Sequence, residues 1–545
     1  MTPERLLRVA LSYLLALTVV SCALYRVIRL DRTRAPARLS IVSVWQAGVR
    51  TAHRVVSGDA THVLEAEGRA PGATRVVEPI LDSARILPLG RLVFGASIAP
   101  ARDGVSVSFN GRTAYLTPDD LLKLEAYEST LQLGPALLVL GVDVDKVLQA
   151  LASELHATPN ELFRHGQFRR FAVPSSAPYP RQLGADQITP AALRSSLSSA
   201  ARYLARNQHP DGSFRYEVNA LTGGDEPGYN YPRHAGATYF LARAAHDLHD
   251  PRLARAAHLG AVFLRDHATL RCGEHACIGE GDEVDLGAAA LAVLTYAELV
   301  EGGAPEFRDA ALDLAGFLRA QQRSNGDFQH LYSVKEQHPV DIQLEYYTGE
   351  AAFALATVQR LSGDPRDLDA ASRALAFLVK RSRWYVGAHY FWAAEHWTCQ
   401  ALAELWDRAP DRLALQFCLA WQAANREVQL TLPGQYDGGI SRGPFVSPRL
   451  TPLASRMEAA VATLATARKA GVAIEEQQLL ETEIRHGFAF LLRYQYAPGP
   501  THLMPDPRAV AGGFPGSPID LHVRIDYPQH AGGAIARYLE LEPGP

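Results

Sequence analysis

Phe317-Leu-Arg-Ala-Gln-Gln-Arg-Ser-Asn-Gly-Asp-Phe328 reads as the end of an apolar helix, a glutamine, a glycine-containing turn and an aromatic residue. Tyr203-Leu-Ala-Arg-Asn-Gln-His-Pro-Asp-Gly-Ser-Phe214 repeats the phrase. Each copy leads into a polar cluster and then an Ala/Gly-rich helical stretch, and the unit recurs about every 57 residues from roughly position 190 onward. A period of that length belongs to helical repeats, whose units bury their apolar faces against one another.

The apolar spacing around these turns fits paired helices throughout. First members of the pairs fall at 190–207, 252–267, 306–322, 367–381, 411–427 and 477–495. Second members fall at 234–248, 286–300, 349–361, 397–406, 455–470 and 530–541. Six helical hairpins close naturally into an (α/α)6 toroid. The second helices open on small residues: Ala235-Gly236-Ala237-Thr238, Leu286-Gly287-Ala288, Gly349-Glu350-Ala351, Glu458-Ala459-Ala460 and Ala531-Gly532-Gly533. Small side chains let six helices crowd one axis, so these form the inner ring and the bulkier, more charged first helices the outer one.

The 545 residues are too many for one ordinary core. With 47% hydrophobic residues, 21% charged residues and a net charge of -4, the chain reads as globular and offers no basic field to nucleic acid. Four segments are expected: an anchor at 1–38, a small α/β domain at 40–172, a linker at 173–189 and the toroid at 190–545.

Val9 to Tyr25 is uncharged and apolar behind Arg5 and Arg8, the layout of an export signal or a minimal membrane-spanning helix. Val19-Val20-Ser21-Cys22 resembles a bacterial lipobox, which implies lipidation at Cys22. Arginines 26, 29, 32, 34 and 38 argue the other way, since positive flanks tend to stay in the cytoplasm. Cys272 and Cys277 flank Gly-Glu-His-Ala, a spacing for a small disulfide loop or, with His275, part of a metal site. Cys399 and Cys418 read as buried small hydrophobes. The balance favours a membrane-anchored protein outside the cytoplasm, with no cofactor and no metal centre.

In the first domain, Val105 to Phe109 and Thr113 to Leu116 flank Asn110-Gly111, a tight hairpin signal. Helices follow near 118–124 and 143–155. Asp103-Gly104-Val105 through Leu116-Thr117-Pro118, with Phe163 beyond, distantly resembles the AMMECR1-like family of small α/β domains.

The Gln-x-x-x-Gly-x-Phe phrases at 208–214 and 322–328 resemble the QW repeats of squalene-hopene cyclases, with Phe in place of Trp. The whole C-terminal part resembles the α/α-toroid superfamilies, six-hairpin glycosidases on one side and terpenoid cyclases and prenyltransferases on the other. In such toroids, loops entering the inner helices surround the mouth of the cavity, and helix N-termini point partial positive charge into it.

At that rim the sequence sets Tyr231, Arg233 and His234 in the first pair, Asp285 in the second, and Tyr346, Tyr347 and Glu350 in the third. His396 and Trp397 follow in the fourth pair, Arg456 and Glu458 in the fifth, and Arg524, Asp526, Tyr527 and His530 in the sixth. The expected catalytic groups are His234, Asp285, Glu350, His396, Glu458, Asp526 and His530. Tyr231, Arg233, Tyr346, Tyr347, Trp397, Arg456, Arg524 and Tyr527 are expected to bind substrate. Tyr-Pro-x-His-Ala-Gly occurs twice, and hairpins one and six adjoin in a closed ring, so His234 and His530 are expected to meet.

Paired carboxylates suit glycoside hydrolysis, while a His or Tyr base with arginines suits lyase or epimerase chemistry. A membrane-anchored carbohydrate-active enzyme of the cell envelope is the leading expectation, with a glycan as partner. A terpenoid cyclase or prenyltransferase acting on an isoprenoid is one alternative, although Asp282-Glu283-Val284-Asp285 is not the Asp-x-Asp-Asp acid motif. A non-catalytic toroid that binds glycan or peptide is the other.

Overall fold

The computed structural model describes residues 33–34, 39–58, 60, 62–87, 89–128, 140–174, 183–382, 395–431, 434–441, 446–497 and 501–542. Cys22 and the rest of the expected anchor segment up to residue 32 lie outside them. Among the described residues, no helix is long and apolar enough to cross a membrane.

Among the described residues, twelve helices form the two rings of the C-terminal part. The outer ones are α1 (Pro190–Arg206), α3 (Pro251–His267), α5 (Arg308–Ala320), α7 (Pro365–Ser382), α9 (Arg412–Val428) and α11 (Ile474–Tyr494). The inner ones are α2 (Tyr231–Leu248), α4 (Leu286–Glu301), α6 (Tyr347–Ser362), α8 (Trp397–Leu405), α10 (Leu450–Ala470) and α12 (Asp526–Leu541). Each inner helix packs on the next, and α12 packs back on α2, so the ring closes. Every residue from Leu286 to Leu299 of α4 is buried, which one apolar stripe cannot achieve and enclosure on all sides can.

The glutamine-glycine turns are clamps between neighbouring outer helices. Gln322 Nε2 donates to the Gly326 carbonyl at 3.2 Å and to the Ala370 carbonyl of α7 at 2.8 Å. Gln208 does the same to Gly212 (3.1 Å) and to Ala256 of α3 (2.9 Å). In two further copies the accepting glycine lies further along the chain. Gln429 bridges Gly438 and Glu483 of α11, and Gln495 bridges Gly512 and Ser196 of α1, which locks the last outer helix to the first. Between α3 and α5 a different device serves. The loop closed by a Cys272–Cys277 disulfide presents His275, whose Nδ1 lies 3.0 Å from Asp313 of α5.

Cys399 of α8 and Cys418 of α9 are also disulfide-bonded. They are therefore a covalent tie between an inner and an outer helix rather than two separate small hydrophobes, because the two helices face each other at those positions with Cα atoms 5.8–5.9 Å apart in both bridges.

Among the described residues the N-terminal part holds two larger antiparallel sheets and a short ribbon of Tyr127–Glu128 with Gly141–Val142. Leu39–Gln46 pairs with Val49–Ser57 and Ala73–Pro79. The other sheet orders Thr33–Arg34, Asp82–Arg85, Gln167–Ala172, Asp103–Phe109 and Arg112–Leu116. Asn110 (φ 48) and Gly111 (φ 77) make the two-residue turn between its last two strands, the positive-φ pair that matches strand twist. This domain sits on the mouth side of the toroid. Tyr436 donates to the Pro100 carbonyl (2.6 Å), Lys123 to the Leu221 carbonyl (2.6 Å), and His502 lies 2.6 Å from buried Asp119.

Candidate active site

Outer helices run toward the mouth and inner helices run away from it, so the first turns of the inner helices line the floor of the bowl. Their glycines leave room for polar side chains from the neighbouring inner helix. A Cβ on Gly349 would meet Glu395 Oε1 at 2.6 Å, and one on Gly533 would meet Glu458 Oε1 at 2.8 Å. Gly287 lies against Glu350 and Tyr347, and Gly236 against Gln529. The Ala/Gly-rich openings thus do more than bring helices close: they seat the carboxylates.

Three groups converge from three helices. Glu458 Oε2 on α10 lies 2.8 Å from His530 Nδ1 on α12 and 3.3 Å from His396 Nε2 at the start of α8. The two imidazoles stand 5.1 Å apart, nearly perpendicular at 85°. Trp397 packs on His396 at 4.3 Å and faces His530 at 6.2 Å, fixing the rings. Burial pulls the His530 imidazole toward neutrality, but the Glu458 charge and its hydrogen bond outweigh it and hold the group above the ordinary value.

A second cluster begins one turn toward the mouth. Arg524 grips Asp526 with Nε (2.7 Å) and Nη2 (3.0 Å), and Arg233 Nε approaches the same carboxylate at 3.4 Å. Burial alone would raise Asp526, yet these arginines hold it below the usual carboxylate range. Arg233 also donates to Tyr216 (2.6 Å), and Arg524 lies over the ring of buried Tyr527 at 4.8 Å. The antiparallel ribbon of Glu217–Asn219 with His522–Arg524 sets this corner.

Across the bowl, Asp285 caps α4 by accepting from Ala288 N–H at 2.7 Å. Burial pushes its carboxyl up to about 6 against that bond and the Tyr347 hydroxyl. Glu350 is buried beside it. Desolvation first, then the Asp285 and Glu395 charges, hold Glu350 well above the carboxylate range, and its Oε2 has no hydrogen-bond partner among the described residues. Tyr346 precedes α6 at φ 74, a strained value for an aromatic residue, with its ring 6.4 Å from His396. Tyr231 reaches Glu280 at 3.3 Å on the rim.

Two expected site residues face elsewhere. Arg456 turns to Asn425 and lies 5.9 Å from the Trp421 ring on α9. His234 does not meet His530. Its Nδ1 takes the Tyr229 hydroxyl (2.6 Å), its Nε2 contacts the Gly260 carbonyl of α3 (2.9 Å), and its ring stacks on Phe263. The reason is a slip of one residue between the two copies of the phrase. Gly236 of α2 faces the preceding inner helix through Gln529, whereas in α12 that place belongs to Gly533. Position 530 therefore corresponds to 233, not 234, and one residue turns a helical side chain by about 100°. Arg233 faces the bowl and His234 the outer ring.

Burial sets the His234 imidazole down at about 4, against the pull of the Gly260 carbonyl, and His330 is likewise depressed, by burial foremost. A depressed histidine pKa leaves stability intact above the unfolded value and removes it as pH falls from there through the folded value. For His234 that window is about 6.5 to 4 and its worth is at most about 3 kcal/mol. Urea midpoints measured between pH 7 and 4 should fall through this window, and a His234→Asn variant should show a flatter profile.

Tyr216, Tyr229 and Gln529 complete the site and were not among the expected residues. Tyr216 follows the first glutamine-glycine turn by two positions past Phe214, the one signal in the sequence that could have marked it.

No protein-family model and no curated protein sequence matches the chain. Among solved structures, it is similar to a D-mannose isomerase (TM-score 0.52, 13% identity), covering 65% of this chain and 98% of that one. A cellobiose 2-epimerase from Bacillus thermoamylovorans B4167 matches with a TM-score of 0.51 and 11% identity over 65% and 99% of the two chains. A sugar epimerase from a ruminal bacterium matches with 0.50 and 12% over 66% and 100%. The fold of the C-terminal part is that of the six-hairpin, glycosidase-like α/α toroids.

Proposed function

We propose that this chain is a carbohydrate-active enzyme that moves a proton at a sugar carbon, an epimerase or isomerase of a cell-envelope or extracellular glycan. The observation that carries the reading is the convergence of His396 and His530 on one buried carboxylate, Glu458, at the floor of a polar, aromatic-sided bowl. Two imidazoles on separate helices supply an acid and a base at once. Glu458 at Nδ1 favours the doubly protonated His530, whose Nε2–H donates to the sugar carbonyl oxygen, while His396 takes the proton from the adjacent carbon. The resulting enediolate collects charge beside Arg233 and Arg524. The sugar-converting toroids of like fold support this choice over isoprenoid chemistry, as do the bowl's carboxylates and arginines.

The test is incubation with reducing mono- and oligosaccharides in deuterium oxide. Epimerised or isomerised product with deuterium at the carbon next to the carbonyl is expected. New reducing ends without exchange would overturn the reading in favour of hydrolysis. That second reading has its own observation: Asp285, pushed up by burial to about 6, stands beside Glu350, which burial holds well above the carboxylate range, and resembles an acid poised for a glycosidic oxygen. Under it Glu350→Gln abolishes turnover, and under proton transfer it spares isotope exchange.

The two disulfides favour an oxidising compartment, hence an anchored protein facing outward from its N-terminal segment. Thiol alkylation of the unreduced, denatured full chain should then label Cys22 at most and leave the other four cysteines blocked.

A further inference from the structure

We infer that His396, Glu458 and His530 also form a three-ligand site for a divalent transition metal, zinc foremost, and that the bound ion switches the proposed proton transfer off. The inference rests on the same residues as that reading. One ligand atom from each residue lies within 4.8 Å of both others. With zinc bonds of about 2.0–2.1 Å, tetrahedral ligand atoms stand about 3.3–3.4 Å apart. The 3.3 Å separation of His396 Nε2 from Glu458 Oε2 already meets that edge, and the 2.8 Å separation at His530 Nδ1 needs only about half an ångström of opening.

The donor set chooses the ion. Two imidazole nitrogens and one carboxylate suit zinc, cobalt or nickel, whereas calcium and magnesium require six or more oxygens. The ligands come from α8, α10 and α12, three elements of a closed ring, and Trp397 against His396 holds one of them in place. A site built on rigid helices spends little ordering entropy on binding. Three protein ligands leave a fourth tetrahedral position for water or a sugar hydroxyl.

Occupancy and proton transfer exclude each other. The ion takes the lone pairs of His396 Nε2 and His530 Nδ1, so His396 no longer accepts a proton from carbon, and Glu458 no longer holds one on His530.

The experiment titrates chelator-stripped full chain with Co2+, read by its visible absorption, and with Zn2+ by calorimetry. Deuterium exchange into sugar substrate is followed in parallel with and without Zn2+. One ion per chain is expected, with four-coordinate cobalt bands, binding weakened at least roughly 100-fold in Glu458→Gln and in His396→Ala, and unchanged in Glu350→Gln. Circular dichroism identifies any variant that fails to fold, and the other variant then decides. Exchange in the stripped chain that stops at one equivalent of Zn2+ supports the inference. Stoichiometric binding with no exchange in any state supports the metal site and overturns the proton-transfer reading instead. Weak binding, or binding indifferent to both ligand variants, overturns the inference and leaves proton transfer standing.

Discussion

His530→Asn is expected to lower glycan turnover by about 10³-fold or more while leaving the melting temperature within a few degrees, and His234→Asn to do the reverse. The two histidines sit in copies of one phrase, so the contrast isolates what their surroundings do. His530 rests against Glu458 through Nδ1. Asparagine there keeps a group able to bond Glu458 but cannot pass a proton, and loss of a general acid typically costs 10²–10⁴ in rate. His234 is enclosed, with both nitrogens engaged by Tyr229 and Gly260 and its ring stacked on Phe263. Shortening it strips that stacking and leaves buried partners unmatched, a loss of about 2–4 kcal/mol. Steady-state rates and urea unfolding on the two variants decide the matter. If His234→Asn silenced turnover at unchanged stability, the assignment of the site to His396, Glu458 and His530 would be wrong.

The doubled phrase also shows where sequence reading stops. Periodicity placed all twelve helices because a helix that packs on one side must repeat its apolar residues every three to four positions, and turns in a repeat fall at fixed intervals. Small residues identified the inner ring for a steric reason that holds whatever the detailed packing. The orientation of one side chain, by contrast, depends on how each helix is rotated in the ring. Prolines Pro232 and Pro528 stand within the first turns, where they are tolerated, so both phrases look alike while their helices are phased one residue apart. The pairing of Cys399 with Cys418 escaped for a similar reason, since nothing local to either cysteine says which helix faces it. In the first domain, Gln167–Ala172 is a middle strand of its sheet, yet Gln-Phe-Arg-Arg-Phe-Ala carries too much charge to look like one. Arg170 is buried there and donates to the Ser97 carbonyl at 2.8 Å, a partner 73 positions away that nothing near it in the sequence announces.

The glutamine-glycine clamp should be the most sensitive point of the scaffold. Gly326 has φ +95, and a Cβ added there would stand 2.5 Å from the Arg373 carbonyl oxygen on α7, a backbone atom that cannot rotate aside. Alanine at this position bears both the left-handed penalty of about 1–2 kcal/mol and a backbone collision, for a total loss of about 3–5 kcal/mol. Gln322→Ala removes two hydrogen bonds, to Gly326 in the loop and to Ala370 on α7, which costs about 2–3 kcal/mol. The two effects are not additive, because the glutamine can bridge the outer helices only while the glycine lets the loop approach α7. A double-mutant cycle should therefore show Gln322→Ala costing well under 1 kcal/mol once Gly326→Ala is present. Chemical denaturation of the four proteins measures this directly. Additive losses would mean that the glutamine and the glycine stabilise the toroid separately, and the repeated phrase would then be two unrelated features rather than one joint.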